Sequence, residues 1–129
     1  MLFRSWGRVV NVASVAGKIG LKHGAAYVAS KHGLIGLTRA VALEGARKGV
    51  TVNAICPSWT ETKMMDDAAE HLALHTQRSE AEARKAMLRS NPVGRAALPE
   101  EVADAAVYLA SSPILTGQSV HVDGGEVMA

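Results

Sequence analysis

Three short runs of the chain are almost continuously apolar and β-branched: RVVNVA at 8–13, VTVNAIC at 50–56 and SVHV at 119–122. A strand with one wet face alternates apolar and polar residues, whereas a strand covered on both faces does not. The first two runs therefore predict strands inside a parallel sheet. Between them the pattern changes to a helical spacing over residues 25–47, so the strands are joined by a right-handed β-α-β crossover, not a hairpin. In that helix Leu34, Leu37 and Val41 form the predicted apolar stripe, and the small residues Ala29, Gly33 and Gly36 leave room for another backbone. Lys48 and Gly49 end it, a cation in the last turn followed by a glycine.

Residues 60–91 are polar and carry methionine, and they predict two short helices. Met64, Met65, Ala68 and Leu72 make an apolar stripe on the first; the second is opened by Ser79 with Glu82 three residues on, the capping-box spacing. Pro99, Glu100 and Glu101 open a further helix to about residue 110, with proline first and acids in the first turn. Asp123, Gly124 and Gly125 close the last strand. No repeat or linker interrupts this order, which predicts a single α/β unit built on a parallel sheet. Ligands in such sheets sit at the carboxyl ends of the strands. Ser14, residues 57–62 and Asp123 all fall just past a predicted strand end, and Tyr27 lies early in the following helix on the same rim.

Composition narrows the function classes. The 129 residues suffice for one core and not two, and a formal charge of +2 without any basic run interleaved with aromatics argues against nucleic-acid binding. Cys56 is the only cysteine, so there is no disulfide framework and no CxxC metal pair, which fits a reducing cytoplasm. No run approaches the ~18 apolar residues of a membrane span. The opening MLFRSWGR lacks the apolar core of a signal peptide, so the expectation is a cytoplasmic protein without a membrane partner.

The candidate chemistry lies in Tyr27 and Lys31, one helical turn apart on one face, with Ser14 upstream. An ammonium beside a phenol favours the phenolate, and a free phenol ionises near pH ~10, so the lysine makes the tyrosine a plausible acid–base group. A serine hydroxyl close by could hydrogen-bond a carbonyl or alcohol oxygen. His71 and His75 stand four apart on a helix, but without a third ligand they read as two solvated histidines. Cys56 reads as a small core residue.

These residues resemble the short-chain dehydrogenase/reductase family over nearly the whole chain. The resemblance is carried by RVVNVAS ending at Ser14, YVASKHGLIGLTR from Tyr27, GVTVNAICP ending at Pro57, PEEVA from Pro99 and VDGG from Val122, in the family's order and spacing. It implies the C-terminal half of a doubly wound Rossmann-type fold, three parallel strands with crossover helices. It also implies that Ser14 orients the substrate oxygen, Tyr27 is the general acid/base, and Lys31 lowers the tyrosine pKa and bonds the nicotinamide ribose. The cofactor implied is NAD or NADP. The segment Pro57, Ser58, Trp59, Thr60, Glu61, Thr62 corresponds to the loop that holds the nicotinamide carboxamide, with Thr62 in the place of the binding threonine.

The chain departs from the family pattern in two places. Ser58 stands where the family has glycine and Thr60 where it has an apolar residue; a serine at 58 fits only if its backbone avoids positive φ. The dinucleotide fingerprint TGxxxGxG, the NAG motif and the catalytic asparagine are not in the sequence, so residues 1–3 read as the tail of the helix before the family's fifth strand. In family context residues 60–91 are the flap over the substrate, and their length with NPVGR ending at Arg95 resembles members that reduce 3-oxoacyl thioesters or oxidise 3-hydroxyacyl substrates. The resulting expectation is hydride transfer between a nicotinamide and a ketone or secondary alcohol, in a homo-oligomer, dimer or tetramer, when full length. The competing expectation is a truncated, catalytically incompetent unit serving at most in oligomerisation.

Overall fold

The computed structural model describes residues 6–128. Three strands form one parallel sheet in the order β1-β2-β3, with β1 at Gly7–Val12, β2 at Val50–Pro57 and β3 at Ser119–Val122. β1 runs alongside β2 from the Gly7–Val50 pair to Val12–Ile55, and β2 alongside β3 from Ala54–Ser119 to Pro57–Val122. The helices are α1 at Ala25–Gly45, α2 at Lys63–Thr76, α3 at Glu80–Met87 and α4 at Pro99–Ser111. The helix tail expected at residues 1–3 lies outside the described residues. No helix among the described residues is long and apolar enough to cross a membrane.

β2 is the centre of the molecule, as its unbroken apolar run implies. Residues 51–56 are all buried. α1 covers one face, where Ile35 and Leu34 pack against Ala13, Ala54 and Cys56, while α4 packs across all three strands. Burying a side chain such as Val52 or Ile55 contributes ~1.5–3 kcal/mol. The buried Asn53 is satisfied at both ends, donating to the Leu115 carbonyl at 2.8 Å and accepting from the Gln118 N–H at 3.0 Å. It thereby fixes the approach of the chain into β3; left unpaired, such a buried group would cost ~1–3 kcal/mol.

The face that α1 turns to the sheet differs from the expected stripe. Ile35, Thr38, Ala42 and Gly45 are buried, Leu34 is half-buried, and Leu37 and Val41 are exposed. The reason is close approach: a Cβ at Gly45 would stand 3.3 Å from the Val50 carbonyl oxygen, so small residues face the strand where larger ones would not fit. Thr38 is admitted because its hydroxyl accepts from the Asn11 amide at 2.9 Å and donates to the Leu34 carbonyl at 2.8 Å. Ala29, Gly33 and Gly36 are exposed, and nothing lies within 4 Å of a Cβ built on either glycine. The close backbone contact on α1 is made instead by Gly17, where a Cβ would meet the Lys31 carbonyl oxygen at 2.8 Å.

The ends of the elements follow the sequence signals. α1 passes into a 3-10 turn at Ala46–Lys48 and stops at Gly49, whose φ of 73° is left-handed and suits glycine. Ser79 and Glu82 form the reciprocal capping box of α3. On α2, Met65 and Ala69 are buried and Leu72 half-buried, whereas Met64 points to solvent and lies off the stripe.

Candidate active site

The parallel sheet gathers the candidate residues at its carboxyl edge. β1 pairs one step beyond its last residue, the Ala13 N–H donating to the Ile55 carbonyl at 2.8 Å, and Ser14 follows immediately. Ser14 is buried in extended backbone and caps a 3-10 turn at Val15–Gly17, its Oγ accepting from the Ala16 N–H at 3.1 Å. Accepting that bond leaves the hydroxyl its own hydrogen to donate.

Tyr27 sits in the first turn of α1 and is 46% exposed, open to a reacting partner. One turn later, Lys31 Nζ donates to the Val12 carbonyl at 3.0 Å and stands 5.6 Å from the centre of the Tyr27 ring. Lys31 therefore fastens the helix that carries Tyr27 to the strand end that carries Ser14. An ammonium has three N–H bonds, so two remain for a ligand. The positive charge lies within the range of a cation–π contact with the ring.

The segment after β2 is held from two sides. Pro57 ends the strand, and the Ser58 N–H reaches the Val122 carbonyl at 3.3 Å. The Ala97 N–H donates to the Trp59 carbonyl and the Glu61 N–H to the Ala97 carbonyl, both at 2.9 Å, so Thr60 forms a parallel bridge with Ala97. Successive hydroxyls then tighten the loop: Thr60 Oγ1 donates to the Ser58 carbonyl at 3.1 Å and Thr62 Oγ1 to the Thr60 carbonyl at 3.2 Å. Thr62 is exposed at the start of α2. Among the described residues, His23 and Gln77 are the non-glycine positions with positive φ. Ser58 is not one of them, so it takes the place of the family's glycine without backbone strain.

Two sets of contacts around this edge, those of Glu126 and Arg84, carry no sequence signal because their partners are remote, and a third, at Asp123, is local. Glu126 receives the Ser58 hydroxyl on Oε2 and the Ser90 hydroxyl on Oε1, the latter at 2.8 Å. Arg84 of α3 pairs with Glu61 at 3.2 Å and with Asp66 in the first turn of α2, joining the flap helices to the loop. Asp123 takes the N–H groups of Gly125 and Val127 at 3.0 and 2.8 Å, so its carboxylate builds the turn after β3. Burial pushes the Cys56 thiol up, consistent with a core residue. His71 and His75 stack their rings 4.0 Å apart, and both are exposed. A cavity of about 330 Å³ lies between Arg95 and Asp123, and neither Ser14, Tyr27 nor Lys31 lines it.

The donor set at the rim fits the nicotinamide end of a dinucleotide. The Thr62 hydroxyl suits a carboxamide, and the remaining Lys31 N–H bonds suit a ribose hydroxyl. No turn with the TGxxxGxG spacing joins a strand to a helix among the described residues. The fit therefore extends to the nicotinamide and its ribose.

A sequence profile described as enoyl-(acyl carrier protein) reductase matches residues 1–126. The chain is 38% identical over 130 residues to a 3-oxoacyl-(acyl-carrier-protein) reductase of Rickettsia bellii, covering 99% of this chain and 49% of the relative. Among solved structures, a variant of the actinorhodin polyketide ketoreductase with NADPH is 44% identical, with a TM-score of 0.89 over 95% of this chain and 48% of the other. A short chain dehydrogenase family protein from Francisella tularensis is 28% identical, with a TM-score of 0.91 over 95% of this chain and 52% of that one. The chain spans about half the length of the curated relatives it matches.

Proposed function

The chain belongs to the short-chain dehydrogenase/reductase family, and on that premise we propose that it carries the proton-transfer and nicotinamide-binding half of an NAD- or NADP-dependent reductase of 3-oxoacyl substrates. The observation that carries this reading is the placement of Lys31, bonded to the Val12 carbonyl and 5.6 Å from the Tyr27 ring. That one side chain sets Tyr27 and Ser14 on a common rim. The nicotinamide, when bound, supplies the hydride in reduction and accepts it in oxidation. Ser14 donates its hydroxyl hydrogen to the substrate oxygen and orients the carbonyl. Tyr27 delivers the proton to that oxygen during reduction and takes it back during oxidation. Lys31 holds the ribose and places positive charge where the tyrosine becomes phenolate. Thr62 bonds the carboxamide, and Pro57, Ser58 and Thr60 give its loop the required shape.

The test is turnover of a 3-oxoacyl thioester with NADPH or NADH, in the protein that joins this chain to a dinucleotide-binding half. Tyr27→Phe is expected to cut turnover by ~10²–10⁴-fold with cofactor binding retained. Retention of more than about a tenth of the rate, outside that range, would overturn the assignment. Calorimetry on the 129-residue protein measures the cofactor affinity that these residues hold by themselves. With no TGxxxGxG turn opening a helix among the described residues to cradle the pyrophosphate, we expect no micromolar affinity for either cofactor; such affinity would show that these residues hold a dinucleotide unaided.

A further inference from the structure

We propose that Glu126 is a positioning residue for the carboxamide loop, a role that rests on the function proposed above. The turn after β3 aims its carboxylate. Asp123 gathers the Gly125 and Val127 N–H groups, so the residue between them is presented from a fixed backbone. That turn is itself wedged against the end of the flap segment: the Val93 N–H donates to the Gly124 carbonyl at 3.2 Å, and a Cβ at Gly124, where φ is 63°, would collide with the Asn91 amide at 2.2 Å. From this base Glu126 binds two hydroxyls. One belongs to Ser90, just beyond α3; the other belongs to Ser58, at the head of the loop.

Ser58 is the residue that replaces the family's glycine, and glycine has no side chain for a carboxylate to hold. Here the hydroxyl gives the loop a third anchor beside the Val122 and Ala97 backbone bonds. The anchor has a direct line to Thr62. Glu126 holds the Ser58 side chain, the Ser58 carbonyl accepts from Thr60 Oγ1, and the Thr60 carbonyl accepts from Thr62 Oγ1. A shift at Ser58 is therefore passed to the hydroxyl proposed to meet the carboxamide. Neither end of the tie is separately a ligand of the reacting atoms. Glu126 acts through Ser58, and a hydrogen bond to an ionised acceptor is among the stronger ones available for the task.

Hydrogen exchange on the 129-residue protein reads the loop without any cofactor, through the Ser58, Glu61 and Ala97 amides that bond to Val122, Ala97 and Trp59. Glu126→Ala and Ser58→Ala are each expected to speed exchange at these three amides about tenfold, while Ala54 and Val52 in β2 keep their rates. The double variant is expected to match Glu126→Ala, because the bond that Ser58→Ala removes is already lost there. Glu126→Gln, which keeps one accepting oxygen, is expected to fall between wild type and Glu126→Ala. In the protein joined to its dinucleotide half, Glu126→Ala is expected to raise KM for the nicotinamide cofactor by a larger factor than it lowers kcat. Wild-type exchange in either single variant, or effects that multiply in the double variant, overturns the proposal. If Glu126→Ala does not fold, Ser58→Ala and Glu126→Gln give the same decision. A wild type that turns over no carbonyl substrate overturns the proposed function instead, and leaves the exchange result to decide the tie.

Discussion

Lys31 makes two contacts that belong to different levels of the molecule, one to the Val12 carbonyl and one over the Tyr27 ring. Lys31→Ala removes both, so it is expected to lower turnover and cofactor affinity together, and also the melting temperature. Kinetics, calorimetry and thermal unfolding check this; loss of rate with unchanged cofactor affinity would remove the ribose role. A second residue-scale prediction concerns Glu101. Arg95 meets its carboxylate at two points, 2.7 and 2.8 Å, and the Leu98 N–H adds a third bond at 2.8 Å. These hold the Glu101 pKa at about 2, against an ordinary 4.5, with the Arg95 hydrogen bond the larger cause. A depressed carboxylate stabilises the fold above its ordinary pKa and loses that contribution as pH falls through the folded value. The melting-temperature gap between wild type and Glu101→Gln is therefore expected to be present at pH 6 and to close between pH 4.5 and 2. Both side chains are exposed, so the gap is small. A gap that persists at the acid end would mean that the glutamine acts through packing and not charge.

At the scale of elements, two contacts decide where the rim sits. Gly17 lets the 3-10 turn after Ser14 lie against α1, and a Cβ there would stand 2.6 Å from Ile35 Cδ1 and 2.8 Å from the Lys31 carbonyl. Overpacking of this kind costs ~1–3 kcal/mol, so Gly17→Ala is expected to lower stability by that order and to reduce turnover by moving Ser14 from Lys31. Denaturant unfolding and kinetics on one sample check both; full activity at lowered stability would detach the turn from catalysis. The capping box of α3 is worth ~1 kcal/mol by the usual effect of Ser→Ala at an N-cap, and Ser79→Ala should show it without touching the rim. These elements were legible because their signals are local. β1 and β2 announce themselves by apolar runs that a one-faced strand would not carry, and Gly49, Ser79 and Pro99 mark ends by their own backbone chemistry. Tyr27, Lys31 and Ser14 were legible for the same reason, since a helical turn and a strand end suffice to bring them to one edge. The packed face of α1 was not, because Thr38, Ala42 and Gly45 face the strand for their small size or satisfied hydroxyl and not for hydrophobicity. Nor was the hold of Glu126 on Ser58, which joins residues 68 positions apart and depends on the turn that Asp123 builds.

At the scale of the whole molecule, the sheet leaves β1 with one bonded side. Its hydrogen bonds run to β2, and among the described residues no strand lies along its other edge. The sequence of β1 is that of a strand covered on both faces, yet Val12 is 57% exposed and Val9 is 42% exposed. On α1, Leu37 is 55% exposed, with Val41 and Leu43 also open to solvent. An apolar strand with an unpaired edge is a template for another chain, and exposed apolar side chains on β1 and α1 add a driving force for association. The charge of +2 is too small to oppose this by repulsion. The 129-residue protein is therefore expected to self-associate through β1 and the outer face of α1, at a concentration-dependent size. An N-terminal extension that supplies a neighbouring strand is expected to convert it to a defined dimer or tetramer, because the edge is then paired and only the helix face remains to be covered. Size-exclusion chromatography with light scattering distinguishes these states. Replacing Val9 or Val12 with lysine, a residue that blunts natural sheet edges, should shift the shorter protein toward monomer and leave the extended one less stable. A monodisperse, cooperatively melting monomer of the unextended protein would place the stabilising surface elsewhere, and would make β1 an edge strand in its own right.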